Sequence, residues 1–146
     1  MSEVRSQSKP GSIRHFTDLI VWRKANELSL DVFRLSRKWP VDERYSLTDQ
    51  VRRSSRSIGA NLAEAWGKRR YEAAFVAKLV DADAEAHETE HWLINAHQHG
   101  YISADEFSKL KVLLDETGRM LGSMIARPTT FITKATPRSE TGSTDI

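Results

Sequence analysis

The sequence predicts an all-α protein folded as an antiparallel four-helix bundle. Three observations carry that expectation. The four prolines are Pro10, Pro40, Pro128 and Pro137, so the stretch from Val41 to Arg127 lacks the residue that breaks helix interiors. Apolar residues recur there at three- and four-residue intervals, and the period-two alternation of a half-buried strand is absent. Four such segments follow one another with short connections, which makes neighbours antiparallel.

The first segment runs from about Asp18 to Lys38, with Trp22, Ala25, Leu28, Val32, Leu35 and Trp39 on one face, and Pro40 ends it. The second opens after Ser46, where Ser46-Leu47-Thr48-Asp49 resembles a capping box. Its stripe is Leu47, Val51, Ser54, Ser55, Ile58, Leu62 and Ala65, and Gly67 with Lys68-Arg69-Arg70 marks its end. The third runs from Tyr71 to about Gln98 along Phe75, Leu79, Ala82, Ala86 and Leu93, with Gly100 placed as its stop. The fourth opens on the capping box Ser103-Ala104-Asp105-Glu106 and follows Phe107, Leu110, Leu114, Leu121 and Ile125. Eleven of the twenty residues from Arg127 to Ile146 are Ser, Thr, Pro or Gly. Residues 127–146 therefore read as a disordered tail, residues 1–15 likewise, and residues 16–126 as the bundle domain.

Two helices carry small or apolar residues away from their core stripes. On the third, Val76, Val80 and Ile94, with Ala73, Ala77 and Ala84, lie ~100° to 200° around. On the second, Gly59, Ala60 and Ala63 would allow a neighbour to approach closely. These faces point to contact with another subunit, against the plainer reading that alanine is a strong helix former.

At 146 residues the chain is one domain's worth. With no cysteine it has no disulfide and no thiolate metal site. The opening MSEVRSQSKPGSIRH has no apolar core, and no stretch reaches the ~20 apolar residues of a membrane span, so a soluble cytoplasmic protein is expected. Net charge is only +2, but it is unevenly spread. Arg44 to Arg70 holds seven basic residues against two acidic, and Tyr71 to His99 six acidic against one lysine. Such asymmetry either makes two oppositely charged surfaces or pairs one helix against the next.

His87-Glu88-Thr89-Glu90-His91 matches the HExxH pattern of zinc hydrolases, and His97 completes a three-histidine spacing. The chemistry would place two histidines one turn apart on zinc with Glu88 as general base. Helical geometry opposes it. In a continuous helix His97 lies ~120° around from His91 and ~9 Å further along, so it cannot meet the same ion. Glu88 with His91 is a single E-x-x-H pairing, and a di-iron bundle needs two. The expectation is no metal, no cofactor and no catalytic residue, with a metallohydrolase as the least favoured alternative.

Gln50-Val51-Arg52-Arg53-Ser54-Ser55-Arg56-Ser57-Ile58-Gly59-Ala60-Asn61-Leu62-Ala63-Glu64-Ala65 resembles the signature helix of the "four helix bundle protein" family. Phe16 to Ala25 resembles that family's opening helix, and Tyr45-Ser46-Leu47-Thr48 its approach to the second. Glu88-Thr89-Glu90 with Trp92-Leu93, then Gly100-Tyr101-Ile102, resemble the third helix and its exit. The family includes proteins encoded in intervening sequences of large-subunit ribosomal RNA genes and accessory variability proteins of diversity-generating retroelements. The resemblance spans about Phe16 to Ile125 and implies a protomer assembled into a homopentameric barrel. For the retroelement members it implies partners in a reverse transcriptase and nucleic acid. This chain departs from the pattern at Gly59, where proline is frequent, and at His87 and His91.

The functional expectation is a non-enzymatic oligomeric binding protein whose partner is RNA, DNA or a nucleic-acid enzyme. Arg52, Arg53 and Arg56 lie ~100° to 200° from the core stripe of the second helix, and Lys68, Arg69 and Arg70 extend the charge at its end. No base-reading motif or aromatic platform accompanies them, so binding would be indifferent to sequence. The opposing expectation is that these arginines pair with the acidic third helix, through Asp81, Glu85 or Glu88. The protein would then be a scaffold for a protein partner without nucleic-acid contact.

Overall fold

The computed structural model describes residues 12–132. Four helices make up most of it: α1 (Ile20–Ser36), α2 (Asp49–Gly67), α3 (Glu72–Gln98) and α4 (Ala104–Ala126). No strand occurs among the described residues. Each helix packs on two others, α1 on α2 and α4, and α3 on α2 and α4, and the longest interface joins α2 to α3. The arrangement is a square bundle with α1 diagonal to α3. Phe75, Leu28, Ile58, Leu62, Leu79, Leu93 and Leu121 fill its centre with essentially no exposure.

The α2 stripe read from sequence is buried at every position, including the hydroxyls of Ser54 and Ser55. Buried hydroxyls need partners. Oγ1 of Thr89 on α3 lies 2.9 Å from Oγ of Ser54 and 2.8 Å from the Glu85 carbonyl oxygen. Small residues let α2 and α3 approach, and that bond crosses the gap. On α1 the stripe is shifted: Val21, Ala25, Leu28, Val32 and Ser36 are buried, while Trp22 and Leu35 are only partly covered. Trp22 lies along the α1/α2 seam over Gly59, where an added Cβ would stand 3.3 Å from the indole nitrogen. The neighbour that Gly59 admits is therefore α1 of the same chain.

The helix ends follow local chemistry. Ser103 Oγ accepts from the Glu106 amide at 3.0 Å and Glu106 returns the bond to the Ser103 amide at 2.8 Å, the reciprocal cap expected there. Gly100 takes φ 79°, the left-handed conformation that closes α3. The expected cap at Ser46 is not formed. Arg44–Thr48 is instead a π-helical turn running straight into α2, and Thr48 is helical with no side-chain cap bond. The chain approaches α2 already helical from Val41–Glu43, so its first amides have backbone partners and need no side-chain oxygen.

The packed unit reaches past the boundaries expected from composition. Ile13 packs against the core near the start of α1. Pro128–Thr130 forms a short turn after α4, and Phe131 and Ile132 return onto the core. Residues 12–15 and 127–132, read from sequence as disordered, are thus anchored by three apolar side chains. The remainder of both expected tails, residues 1–11 and 133–146, lies outside the described residues. No helix among the described residues is long and apolar enough to cross a membrane.

Candidate nucleic-acid interface on the second helix

Helical geometry divides the α2 arginines between two neighbours. Arg52 and Arg56 lie ~40° apart around the axis, and Arg53 a further ~60° beyond Arg56. Arg53 faces α3. Its guanidinium is 2.6 Å from Glu88 Oε2 and 3.9 Å from Glu85 Oε1. Glu88 also accepts from the Trp92 indole N–H at 3.1 Å, which fixes the carboxylate toward α2. Glu85 is harder to place as an anion. Burial and the neighbouring Glu88 charge raise its carboxyl above the usual range, with Arg53 opposing them.

Arg52 and Arg56 face α1, where no carboxylate meets them. Arg52 donates from Nε to Ser36 Oγ at 2.8 Å, and its guanidinium sits 4.9 Å from the centroid of the Phe33 ring. Arg56 and Arg37 each stand 5.8 Å from the same centroid. Three cations thus converge on one ring that remains 36% exposed. Among the described residues none of the three forms an ion pair. An aromatic surface therefore does accompany the basic residues, contrary to the sequence expectation. Phe33 lies on α1 and Arg37 just past its end, so spacing along the second helix alone did not reveal them. Their signal was an aromatic four residues before an arginine, off the core stripe.

The basic run at the end of α2 is a separate feature. Lys68 lies ~18 Å along and ~120° around the helix from Arg56, so the six sequence-nominated residues do not form one surface. Arg69 folds back to donate from Nε to the Trp66 carbonyl at 2.7 Å, with its guanidinium 3.5 Å from the Trp66 ring. Burial lowers its pKa without threatening its charge. Lys68 and Arg70 form no ion pair among the described residues.

Most of the acids of α3 are engaged within the chain. Asp81 meets Lys78, which also bridges to Glu64 on α2, and Glu90 meets Lys111 on α4. The histidines have separate partners. His87 Nδ1 lies 2.8 Å from the Asp83 carbonyl oxygen, so that nitrogen carries the proton. His91 sits edge-on to Trp92, and His97 stacks on Phe107 with its Nδ1 3.3 Å from the Ile102 carbonyl oxygen. α3 runs unbroken through all three, as the geometric argument against a shared ion required. Among the described residues no three His, Cys, Asp or Glu side chains come together as metal ligands. The second apolar face of α3 stands open, with Val80 48% and Ile94 39% exposed.

The family described as 23S rRNA-intervening sequence protein matches residues 17–123, from the turn before α1 almost to the end of α4. The chain belongs to that family. A protein of unknown function from the S23 ribosomal protein family of Bacteroides thetaiotaomicron shares the fold, with a TM-score of 0.66 and 30% identity. The alignment covers 73% of this chain and 96% of that one. No curated protein matches significantly. The matched region contains both the Phe33 cluster and the Arg53 ion pairs, and the solved neighbour carries no assigned activity.

Proposed function

We propose that this 23S rRNA-intervening sequence protein is a cytoplasmic, non-enzymatic oligomeric binding protein that holds RNA or DNA without reading its sequence. The observation that carries this reading is the split among the α2 arginines. Arg53 is paired with Glu88, with Glu85 farther off, whereas Arg52 and Arg56 converge beside Arg37 without a carboxylate partner among the described residues. Clustered guanidiniums repel one another and lose that repulsion when an anion arrives, and phosphates are anions they grip in a bidentate manner. The family, that of 23S rRNA-intervening sequence proteins, is compatible with a nucleic-acid context. Service to a reverse transcriptase, implied by the sequence resemblance, belongs to the same reading, with the enzyme as a second partner.

The exposed Val80 and Ile94 favour self-association, in the pentamer that the resemblance implies, and would multiply each basic cluster around a ring. They also support the competing reading of a scaffold that holds a protein partner and no nucleic acid. Binding isotherms on unrelated RNA and DNA sequences at rising salt decide between the two. Nucleic-acid binding predicts similar affinities for all sequences and a steep linear fall of log affinity with log salt. Absence of binding at low salt would leave the scaffold.

A further inference from the structure

Phosphate contact explains the arginines but not the ring they surround. Phe33 lies at the α1/α2 seam, 36% exposed, with three guanidiniums 4.9 to 5.8 Å from its centroid. Beside it an open depression of about 460 Å³ is lined by Asp49, Arg52, Arg53, Arg56, Ser57 and Ala60. Arg56 and Ala60 also line the groove that runs between α1 and α2 toward Trp22. A planar ring has two faces, so three cations cannot all stack on it. One at least is available to turn outward.

Accepting the nucleic-acid reading above, we infer that Phe33, Arg37, Arg52 and Arg56 form a stacking site selective for single strands. An unpaired base lies on Phe33, the guanidinium it displaces takes the adjoining phosphate, and the strand continues along the α1/α2 groove. The selectivity follows from which surfaces each form offers. A duplex keeps its base faces inside the helix and presents phosphates and base edges. A single strand presents faces, which stack on aromatic rings regardless of base identity. Asp49 also lines the depression and repels phosphate there, which favours the α1/α2 groove as the strand's path. Ser36 holds Arg52 in place by accepting its Nε–H, which leaves Arg37 and Arg56 as the cations free to move. An acidic protein segment would be drawn by the same charges but has no use for the ring.

The test compares three DNA probes of equal length by fluorescence anisotropy: oligothymidylate, the same strand with abasic sites throughout, and a duplex. The wild-type protein should bind oligothymidylate about tenfold more tightly than the abasic strand. Phe33→Leu should abolish that preference and leave duplex and abasic affinities unchanged, and Phe33→Trp should keep it. Arg37→Gln should lower the salt slope by about one for the single strands. Phe33 is 36% exposed, and thermal melts of each variant check that the bundle is intact. If all three probes bind and Phe33→Leu weakens them equally or not at all, the stacking site is refuted while phosphate binding stands. If no probe binds the wild type, both readings fall. If polyglutamate competes as strongly as oligothymidylate and loses affinity equally on Phe33→Leu, the surface belongs to an acidic protein and the inference is overturned.

Discussion

At the scale of single residues, Glu85 shows how the α2/α3 contact balances charge against burial. One of its carboxylate oxygens is buried without a hydrogen-bond partner, and the Arg53 guanidinium stands 3.9 Å away, too far to donate well. Burial first and the Glu88 charge second raise its carboxyl above the ordinary 4.5. The folded chain therefore holds that proton more tightly than the unfolded chain. Stability is lost as pH rises from the ordinary value through the raised one. Glu85→Gln should melt at a higher temperature than the wild type at neutral pH, with the difference closing as pH falls below 4.5. A Glu85→Gln variant that melts below the wild type at neutral pH would show that the Arg53 attraction outweighs desolvation. Arg53 itself remains paired to Glu88 in that variant, so the comparison isolates one carboxylate.

At the scale of elements, what could be read from the chain was what lies within one helix. The α2 stripe, the Ser103 cap and the Gly100 stop depend on spacing along a single segment, and each appears where the periodicity put it. Gly100 carries a further consequence. Its φ of 79° costs a side-chain-bearing residue about 1 kcal/mol. Gly100→Ala should lower stability by about that amount, although nothing lies within 4 Å of the added Cβ. A chemical-denaturation midpoint equal to the wild type's would contradict the assignment of strain. The misreadings arose where two segments meet. Ser46 has the composition of a cap, but the preceding turns make one unnecessary. Gly59 resembled a site for another subunit until α1 brought Trp22 over it. The choice between phosphate binding and internal pairing was open for three arginines on one helix, because their neighbours come from two others. Arg53 pairs with α3, and Arg52 and Arg56 meet Phe33 on α1.

At the scale of the whole molecule, the bundle pairs most of the acids of α3 internally and leaves a basic cluster and an apolar strip exposed. The strip on α3 has Val80 and Ile94 in the open, and Val112 on α4 is 57% exposed as well. We expect light scattering at micromolar concentration to show a species several times the 16.6 kDa of one chain, and a stable monomer would remove self-association from the account. The central claim concerns the basic cluster, and it predicts that arginines on the same helix are unequal. The most direct test is the salt dependence of single-stranded RNA binding by the Arg52→Gln/Arg56→Gln double variant, set beside Arg53→Gln. The double variant should lose affinity for unrelated sequences alike and reduce the log–log salt slope by up to about two. Arg53→Gln should keep both the slope and the affinity and instead lower the melting temperature. Equal slopes in all three proteins, or a slope that falls only with Arg53, would contradict the account.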